Sequence, residues 1–205
     1  MCEVERLREW TATVAADQRR GEWECGYTGW TELYTAWNDF LGAFPPSTWT
    51  EAETEGAIYA LARDNEVEHL SKSLARLPAC EIVHAARVTE RVGEPDARWQ
   101  IAAALGKVAD HAEERSCVEP YLLKLAADPE EYVRRRALES LVRIRSGQAE
   151  RLALTAWNEA PEDMPWSRMM ALWALKQTQS RSFDPLLREA MASANRDMTG
   201  CCGSA

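Results

Sequence analysis

One residue pattern recurs three times along the chain, and its spacing limits the folds that this sequence can adopt. Arg98, Arg134 and Arg168 occupy the same position in the three copies, which are therefore 36 and 34 residues apart. With the arginines in register, an isoleucine or alanine aligns three residues on and a leucine aligns seven residues on. The aligned residues are Ile101, Ala137 and Ala171, followed by Leu105, Leu141 and Leu175. Self-similarity at this period is typical of helical repeat arrays.

A second helical pattern lies between the copies, so each unit is predicted to be a helical hairpin. The stretches "CVEPYLLKLAAD", "AERLALTAWNEA" and "FDPLLREAMASA" all place apolar residues at helical spacing. Pro95, Pro129 and Pro165 stand near the start of each copy, and proline is tolerated in the first turn of a helix. Alanine (32) and leucine (19) far outnumber valine plus isoleucine (14), which favours helices over sheets.

Two of the copies resemble the second helix of HEAT and HEAT-like repeats, which reads roughly D-P-x-V-R-x-x-A-x-x-x-L-G-x-I. They are "PDARWQIAAALGKV" and "DPEEYVRRRALESLVRI". The matching residues are Pro95, Arg98, Leu105, Gly106 and Val108 in one, and Asp128, Pro129, Val133, Arg134, Ala137, Leu141 and Ile144 in the other. The third copy departs at Ser167 and Thr178. The resemblance covers residues 79–195 and implies an all-α protein, a right-handed α-solenoid of helical hairpins.

The resemblance also assigns roles to individual residues. The repeat arginine of this family usually reaches an acidic residue of a neighbouring repeat, which implies structural roles for Arg98, Arg134 and Arg168. The second helices are expected to form the concave face of the solenoid. The partner-binding residues that this predicts are Trp99, Arg135, Arg136, Trp166 and Met169.

The first 47 residues do not fit the repeat and are predicted to form an aromatic-rich N-terminal helical cap. Five of the nine tryptophans precede residue 50. Helical spacing favours packing roles for Trp30 and Trp37, whereas Trp23 lies in a glycine-containing loop and is predicted to contact a partner. The predicted organisation is a cap (1–47), a repeat array (48–195) and a flexible tail (196–205), all in one continuous solenoid domain.

The acidic charge lies mainly in the first half of the chain. Residues 1–94 carry 17 acidic and 9 basic side chains, whereas residues 95–205 carry 16 and 15. This balance disfavours nucleic acid as a partner, because phosphate binding requires a surplus of cations. It would accelerate the approach of a basic protein. Ordinary solubility explains the same charge.

The sequence carries none of the common catalytic, nucleotide-binding or metal-binding motifs. The six cysteines lack metal-ligand spacing, and the three histidines are scattered. We therefore predict no cofactor, no metal and no catalysis. The charged N-terminus lacks a signal-peptide pattern and no apolar run is long enough for a membrane span, so we expect a cytoplasmic protein.

The sequence is therefore interpreted as a non-catalytic, protein-binding HEAT-repeat module. A narrower hypothesis is a bacterial immunity or inhibitor protein that neutralises a basic toxin. Two alternatives come from the resemblance. One is an enzyme like the HEAT-like alkylpurine DNA glycosylases, with a binding face drawn from Trp99, Asp128, Arg134, Trp166 and Trp173. The other is a HEAT protein like the bilin lyases.

Overall fold

The computed structural model describes residues 2–19, 21–92, 94–107, 112–160 and 165–200. Within these ranges the chain is helical and contains no strand, which confirms the all-α prediction. It divides into two compact units, Met1–Ile144 and Arg145–Ala205, each described here by itself. The predicted boundaries at residues 47 and 195 differ from the division after Ile144, and they stay predictions.

The first unit contains eight α-helices among its described residues. They are α1 (Cys2–Thr13), α2 (Trp30–Ala43), α3 (Glu51–Leu61), α4 (His69–Leu74), α5 (Ala79–Val92), α6 (Pro95–Lys107), α7 (Ala112–Leu125) and α8 (Glu131–Arg143). Short 3-10 helices occupy Ala16–Gln18, Trp23–Gly26 and Pro46–Thr48. Helices α5 with α6 and α7 with α8 form the hairpins that the repeat pattern predicts, and α6 packs along α8.

The second unit contains three described helices, α9 (Ala149–Glu159), α10 (Pro165–Gln177) and α11 (Phe183–Gly200). Helix α10 packs against both α9 and α11. Helix α11 continues to Gly200, so the backbone of residues 196–200 is helical, whereas a flexible tail was predicted there. Residues 201–205, with Cys201 and Cys202, lie outside the described residues.

The aligned columns of the repeat form the core of the second helices. Ile101, Ala137 and Ala171 are completely buried, and so are Leu105, Leu141 and Leu175. Ile144 is 2% exposed, Thr178 is half-buried, and Val108 lies outside the described residues. The register read from the sequence is therefore correct, because a helix that keeps one face against its neighbours buries the same positions in each copy.

Aromatic stacking holds the N-terminal segment together. The Trp10 and Trp23 rings stack at 5.5 Å between centroids, and Tyr27 lies 5.2 Å from Trp10. Trp30 contacts Tyr27 edge-on and stacks on Tyr34. Because such pairs bury large areas in fixed geometries, this segment can pack without the regular hairpins of the repeats.

Candidate functional site

Arg98 pairs with Asp128, an acidic residue of the next repeat. Its Nε and Nη2 donate to the two carboxylate oxygens of Asp128, at 2.8 and 3.1 Å. The Arg98 and Asp128 side chains are 15% and 8% exposed. The Asp128 carboxylate also accepts from the Glu130 N–H, 2.9 Å away, just before α8 begins. One carboxylate therefore joins α6 to the start of α8.

The other two repeat arginines are placed differently. Arg134 is exposed and donates from Nη1 to the carbonyl oxygens of Asp128 and Pro129, both 2.7 Å away, so it meets backbone oxygens of its own repeat and not a neighbouring carboxylate. The Arg168 guanidinium lies 5.2 Å from the centre of the Trp157 ring. In the third copy the arginine therefore contacts an aromatic face.

Trp99 was predicted to contact a partner, and the structure corrects this because the residue is only 3% exposed. Tyr132 packs edge-on against the Trp99 ring at 5.1 Å, and the Arg136 guanidinium lies 5.3 Å from its centre. The indole N–H donates to Asp96 at 3.3 Å. A partner cannot reach this ring without unfolding the packing of α6 against α8.

Arg136 is engaged inside the first unit and does not form an open binding surface. Its Nη2 donates to both carboxylate oxygens of Glu68 at 3.0 Å, and its Nη1 donates to Glu139 at 3.0 Å. Only 17% of the Arg136 side chain is exposed. Arg135 forms an ion pair with Glu131 at 3.2 Å and lies 4.6 Å from the centre of the Tyr132 ring.

The segment joining α3 to α4 lies against Gln100 and Arg136, on the side of α6 and α8 that we call the repeat face. Gln100 follows Trp99, is fully buried, and donates from Nε2 to the carbonyl oxygens of Leu61 and Asp64, at 2.7 and 2.8 Å. Glu68, which pairs with Arg136, stands directly before α4. The chain therefore fills this face with its own residues.

Trp23 lies in a 3-10 helix and is half-buried. Its ring stacks on Trp10 with planes 3° apart, and the Arg19 guanidinium lies 5.8 Å from its centre. These contacts give Trp23 a packing role, and its predicted partner contact stays a prediction.

Trp166 and Met169 are 60% and 57% exposed, so the structure places both where a partner can reach them. Met170 and Trp173 are half-buried and complete an i, i+3, i+4, i+7 series, which we call the α10 stripe. The buried residues of α10, among them Ala171, Ala174 and Leu175, lie on the opposite side of the helix. The predicted protein-binding residues did not include Met170 or Trp173, although the glycosylase alternative named Trp173, and helical spacing from Trp166 would have found both.

The α10 stripe occupies the same repeat positions as the covered face of α6 and α8. With the arginines in register, Met170 aligns with Gln100 and Arg136, the residues that hold the α3–α4 segment. The third copy replaces these polar groups with a thioether. Its face is therefore unsuited to hold backbone carbonyls or a carboxylate, and it is suited to contact apolar surface.

Two carboxyl groups of the first unit are buried. Glu24 is 5% exposed, its Oε1 accepts from Asn65 at 2.9 Å, and burial raises its pKa. Asp64 is 2% exposed and accepts from the Leu70 N–H at 2.7 Å and the Tyr34 hydroxyl at 2.8 Å. Burial raises the pKa of Asp64 and also the pKa of Tyr34. These groups join α2 and α3 to α4, which is a structural arrangement.

The residues that the glycosylase resemblance implies for a DNA-binding face are not all exposed. Trp99 is buried and the Asp128 carboxylate is paired with Arg98. Among the described residues, no group of three or more His, Cys, Asp or Glu side chains is placed to hold a metal ion. None of the helices in these ranges combines the length and hydrophobicity that a membrane span needs.

Comparison with known proteins identifies one family. The family model for HEAT repeats matches residues 119–199, which include α8, α9 and α10. No curated protein and no solved structure matches the chain. HEAT repeats are α-solenoid units that in general mediate protein interactions, and the family is typically non-catalytic. Residues 119–199 of this chain therefore match HEAT repeats.

Proposed function

We propose that this protein is a non-catalytic binding module that recognises another protein through the α10 stripe. The observation that carries the proposal is the exposure of Trp166 and Met169 on the side of α10 that faces away from its core. Tryptophan and methionine are enriched at protein interfaces, and large exposed apolar side chains in one row favour an interaction site over a solvated surface.

The distribution of charge favours a basic partner. Residues 145–205 carry seven acidic and seven basic side chains, so the net charge of −9 belongs entirely to residues 1–144. An acidic unit attracts a cationic protein and increases its rate of association, whereas an apolar stripe in a neutral unit slows its dissociation. The two features therefore support one partner that is basic and carries an apolar contact surface.

The narrower form of the proposal is that this chain neutralises a cationic toxin, as an immunity or inhibitor protein does. The acidity of the first unit supports it, because an inhibitor of a cationic protein gains speed from opposite charge. A toxin partner would be a small basic protein whose activity falls when this chain is bound.

The test is capture of binding proteins by the purified chain and by two double variants. Trp166→Ala with Met169→Ala removes the exposed part of the stripe. Phe44→Ala with Val67→Ala is the matched control, because each of those side chains is 51% exposed and lies in the other unit. Central interface residues of this kind contribute about 2 kcal/mol or more. We therefore expect the affinity for the captured protein to fall about tenfold or more in the first variant only.

A captured protein that binds the stripe variant as tightly as the natural sequence would contradict the proposal. Circular dichroism and thermal unfolding of both variants establish that each remains folded. Activity assays on the captured protein, with and without this chain, then distinguish an inhibitor from an adaptor.

A further inference from the structure

A groove of about 680 Å³ lies in the first unit. Helices α3 and α5 form its sides, and α1 contributes Arg8. The lining residues are Arg8, Trp49, Glu51, Thr54, Glu55, Tyr59, His84, Val88, Arg91, Val92 and Glu94. Its volume is within the range of small-molecule and peptide-sized sites.

Contacts at both ends of the groove show how α3 and α5 are oriented relative to each other. Before α3 begins, Ser47 donates from its N–H and its hydroxyl to Glu81 in the first turn of α5, at 2.8 and 2.9 Å. After α3 ends, Arg63 pairs with Glu94 beyond the end of α5, at 3.0 Å. The two helices therefore run in the same direction along the groove.

The wall from α3 is acidic at its start. Glu51, Glu55 and Tyr59 follow one another at i, i+4 and i+8, so all three face the groove. Glu51 and Glu55 are exposed and form no ion pair within the described part of the chain. The Trp49 ring beside them is fixed, because its indole N–H donates to the Phe44 carbonyl at 2.8 Å and its ring packs on Phe40.

The arginines at the groove differ in whether they form an ion pair. Arg8 pairs with Glu5 at 2.8 Å, Arg63 pairs with Glu94, and both guanidinium groups also lie near the Tyr59 ring. Arg91, near the end of α5, is exposed and makes no ion pair in the described ranges. The groove thus presents two carboxylates with a tryptophan near its start and one exposed cation near its end.

We propose that this groove binds an extended segment of a partner polypeptide that carries both a basic and an acidic side chain. The basic side chain lies between Glu51 and Glu55 against the Trp49 ring, where carboxylates and an aromatic face both favour a cation. The acidic side chain pairs with Arg91. This inference adds a second contact site to the proposed protein-binding function, and it does not depend on the α10 stripe.

Helix geometry gives the spacing of the two charges. Because Ser47 contacts Glu81 and Arg63 contacts Glu94, His84 lies about level with the start of α3. It is seven residues from Arg91, which corresponds to about 10 Å along α5. Three residues of polyproline II helix span about 9 Å and return a side chain to the same face. A peptide with the order Arg-Pro-Pro-Glu therefore presents its two charges at the required separation.

The experiment is an NMR titration of the full chain with acetyl-Arg-Pro-Pro-Glu-amide, following the methyl resonances of Val88 and Val92. The comparison peptide has glutamine in place of arginine. Glu51→Gln with Glu55→Gln removes the carboxylates. Glu32→Gln with Asp39→Asn is the matched control, because both residues are exposed on α2 and the net charge changes equally.

We expect the Val88 methyl signals to shift with the arginine peptide and the affinity to fall about tenfold in the Glu51 and Glu55 variant, with less than a twofold change in the control. Equal weakening in both variants would show attraction to the overall charge and overturn the proposal. So would an absence of shifts at Val88 and Val92, or equal binding of the glutamine peptide. Titration of the Trp166 and Met169 variant should give unchanged shifts, so failure of either proposal leaves the other testable.

Discussion

Single residues decide how closely the second helices of this protein approach each other. A Cβ on Gly106 would lie 2.3 Å from the Ser140 Oγ and 2.9 Å from the Ser140 Cα. Ser140 is itself buried and donates to the carbonyl oxygen of Ala102 at 2.7 Å. Helices α6 and α8 therefore meet where one side chain is absent and its neighbour is small, and the contact has no space for an additional methyl group.

Gly106→Ala is expected to destabilise the protein by about 1–3 kcal/mol, because overpacking a tight core forces neighbouring backbone to move. Gly42→Ala is the matched control, since a Cβ at this helical position meets nothing within 4 Å. Alanine there should stabilise the protein by up to about 1 kcal/mol through helix propensity. Denaturant unfolding measures both changes, and a neutral Gly106→Ala would contradict the packing.

Glu24→Gln is expected to stabilise the protein at pH 7 and to have little effect below pH 4. Burial raises the pKa of Glu24 above its ordinary value of 4.5, so the folded protein holds a proton that the unfolded chain releases. The free energy of unfolding therefore falls as the pH rises from 4.5 through the folded pKa. The glutamine cannot ionise, and its amide oxygen can still accept from Asn65. Melting temperatures at pH 4 and pH 7 test this, with the exposed Glu22→Gln as the control. An increase in the melting temperature of the Glu24→Gln variant that is equal at both pH values would refute the prediction.

At the scale of helices and turns, the turns after α8 and α10 have the same backbone geometry although their residues differ. Arg145 and Gln179 follow α8 and α10, are 34 residues apart, and both have φ of 55°. Just after each of them a serine hydroxyl accepts a backbone N–H at 3.1 Å, Ser146 from Gln148 and Ser180 from Ser182. The turn is the same in both places although neither position is a glycine.

Arg145→Gly and Gln179→Gly should each stabilise the protein by roughly 0.5–1 kcal/mol. Left-handed backbone costs an ordinary residue about 1–2 kcal/mol, and glycine avoids this cost while losing some stability through its more flexible unfolded state. Arg181→Gly is the control, because Arg181 lies in the same turn without a positive φ, and it should destabilise. Equal effects at positions 179 and 181 in chemical denaturation would count against the left-handed turn.

Arg98→Ala is expected to cost about 2–3 kcal/mol of stability, because it leaves the largely buried Asp128 carboxylate without two charge-assisted hydrogen bonds. Arg134→Ala should cost less than about 1 kcal/mol, since Arg134 is exposed and bonds only to backbone carbonyls. The two variants control for each other, and equal losses would show that the repeat arginines are equivalent after all.

At the scale of the whole molecule, the acidic surplus and the α10 stripe lie in different units. The acidic surplus belongs to residues 1–144, whereas the α10 stripe belongs to residues 145–205. With the captured partner, raising the salt concentration should slow association and leave dissociation nearly unchanged. The Trp166 and Met169 variant should accelerate dissociation instead. Stopped-flow or surface-binding kinetics separate the two rates, and a salt effect confined to dissociation would contradict this assignment.

The sequence alone determined the helical class, the repeat register and the buried columns of the second helices. These properties follow from local periodicity, because residues at helical spacing share a face and the three copies must bury equivalent positions. It also placed Arg98 in a structural role through the family resemblance, and the Asp128 contact agrees with that role.

Only the tertiary structure decided which parts of the repeat face remain open. Gln100 and Arg136 are covered because Leu61 and Glu68 lie against them, and Glu68 is 68 positions from Arg136 in the chain. No local pattern encodes a contact of that separation. The same face in α10 carries Trp166 and Met169 and stays exposed, so equivalent sequence positions differ in solvent exposure according to what the distant chain places over them.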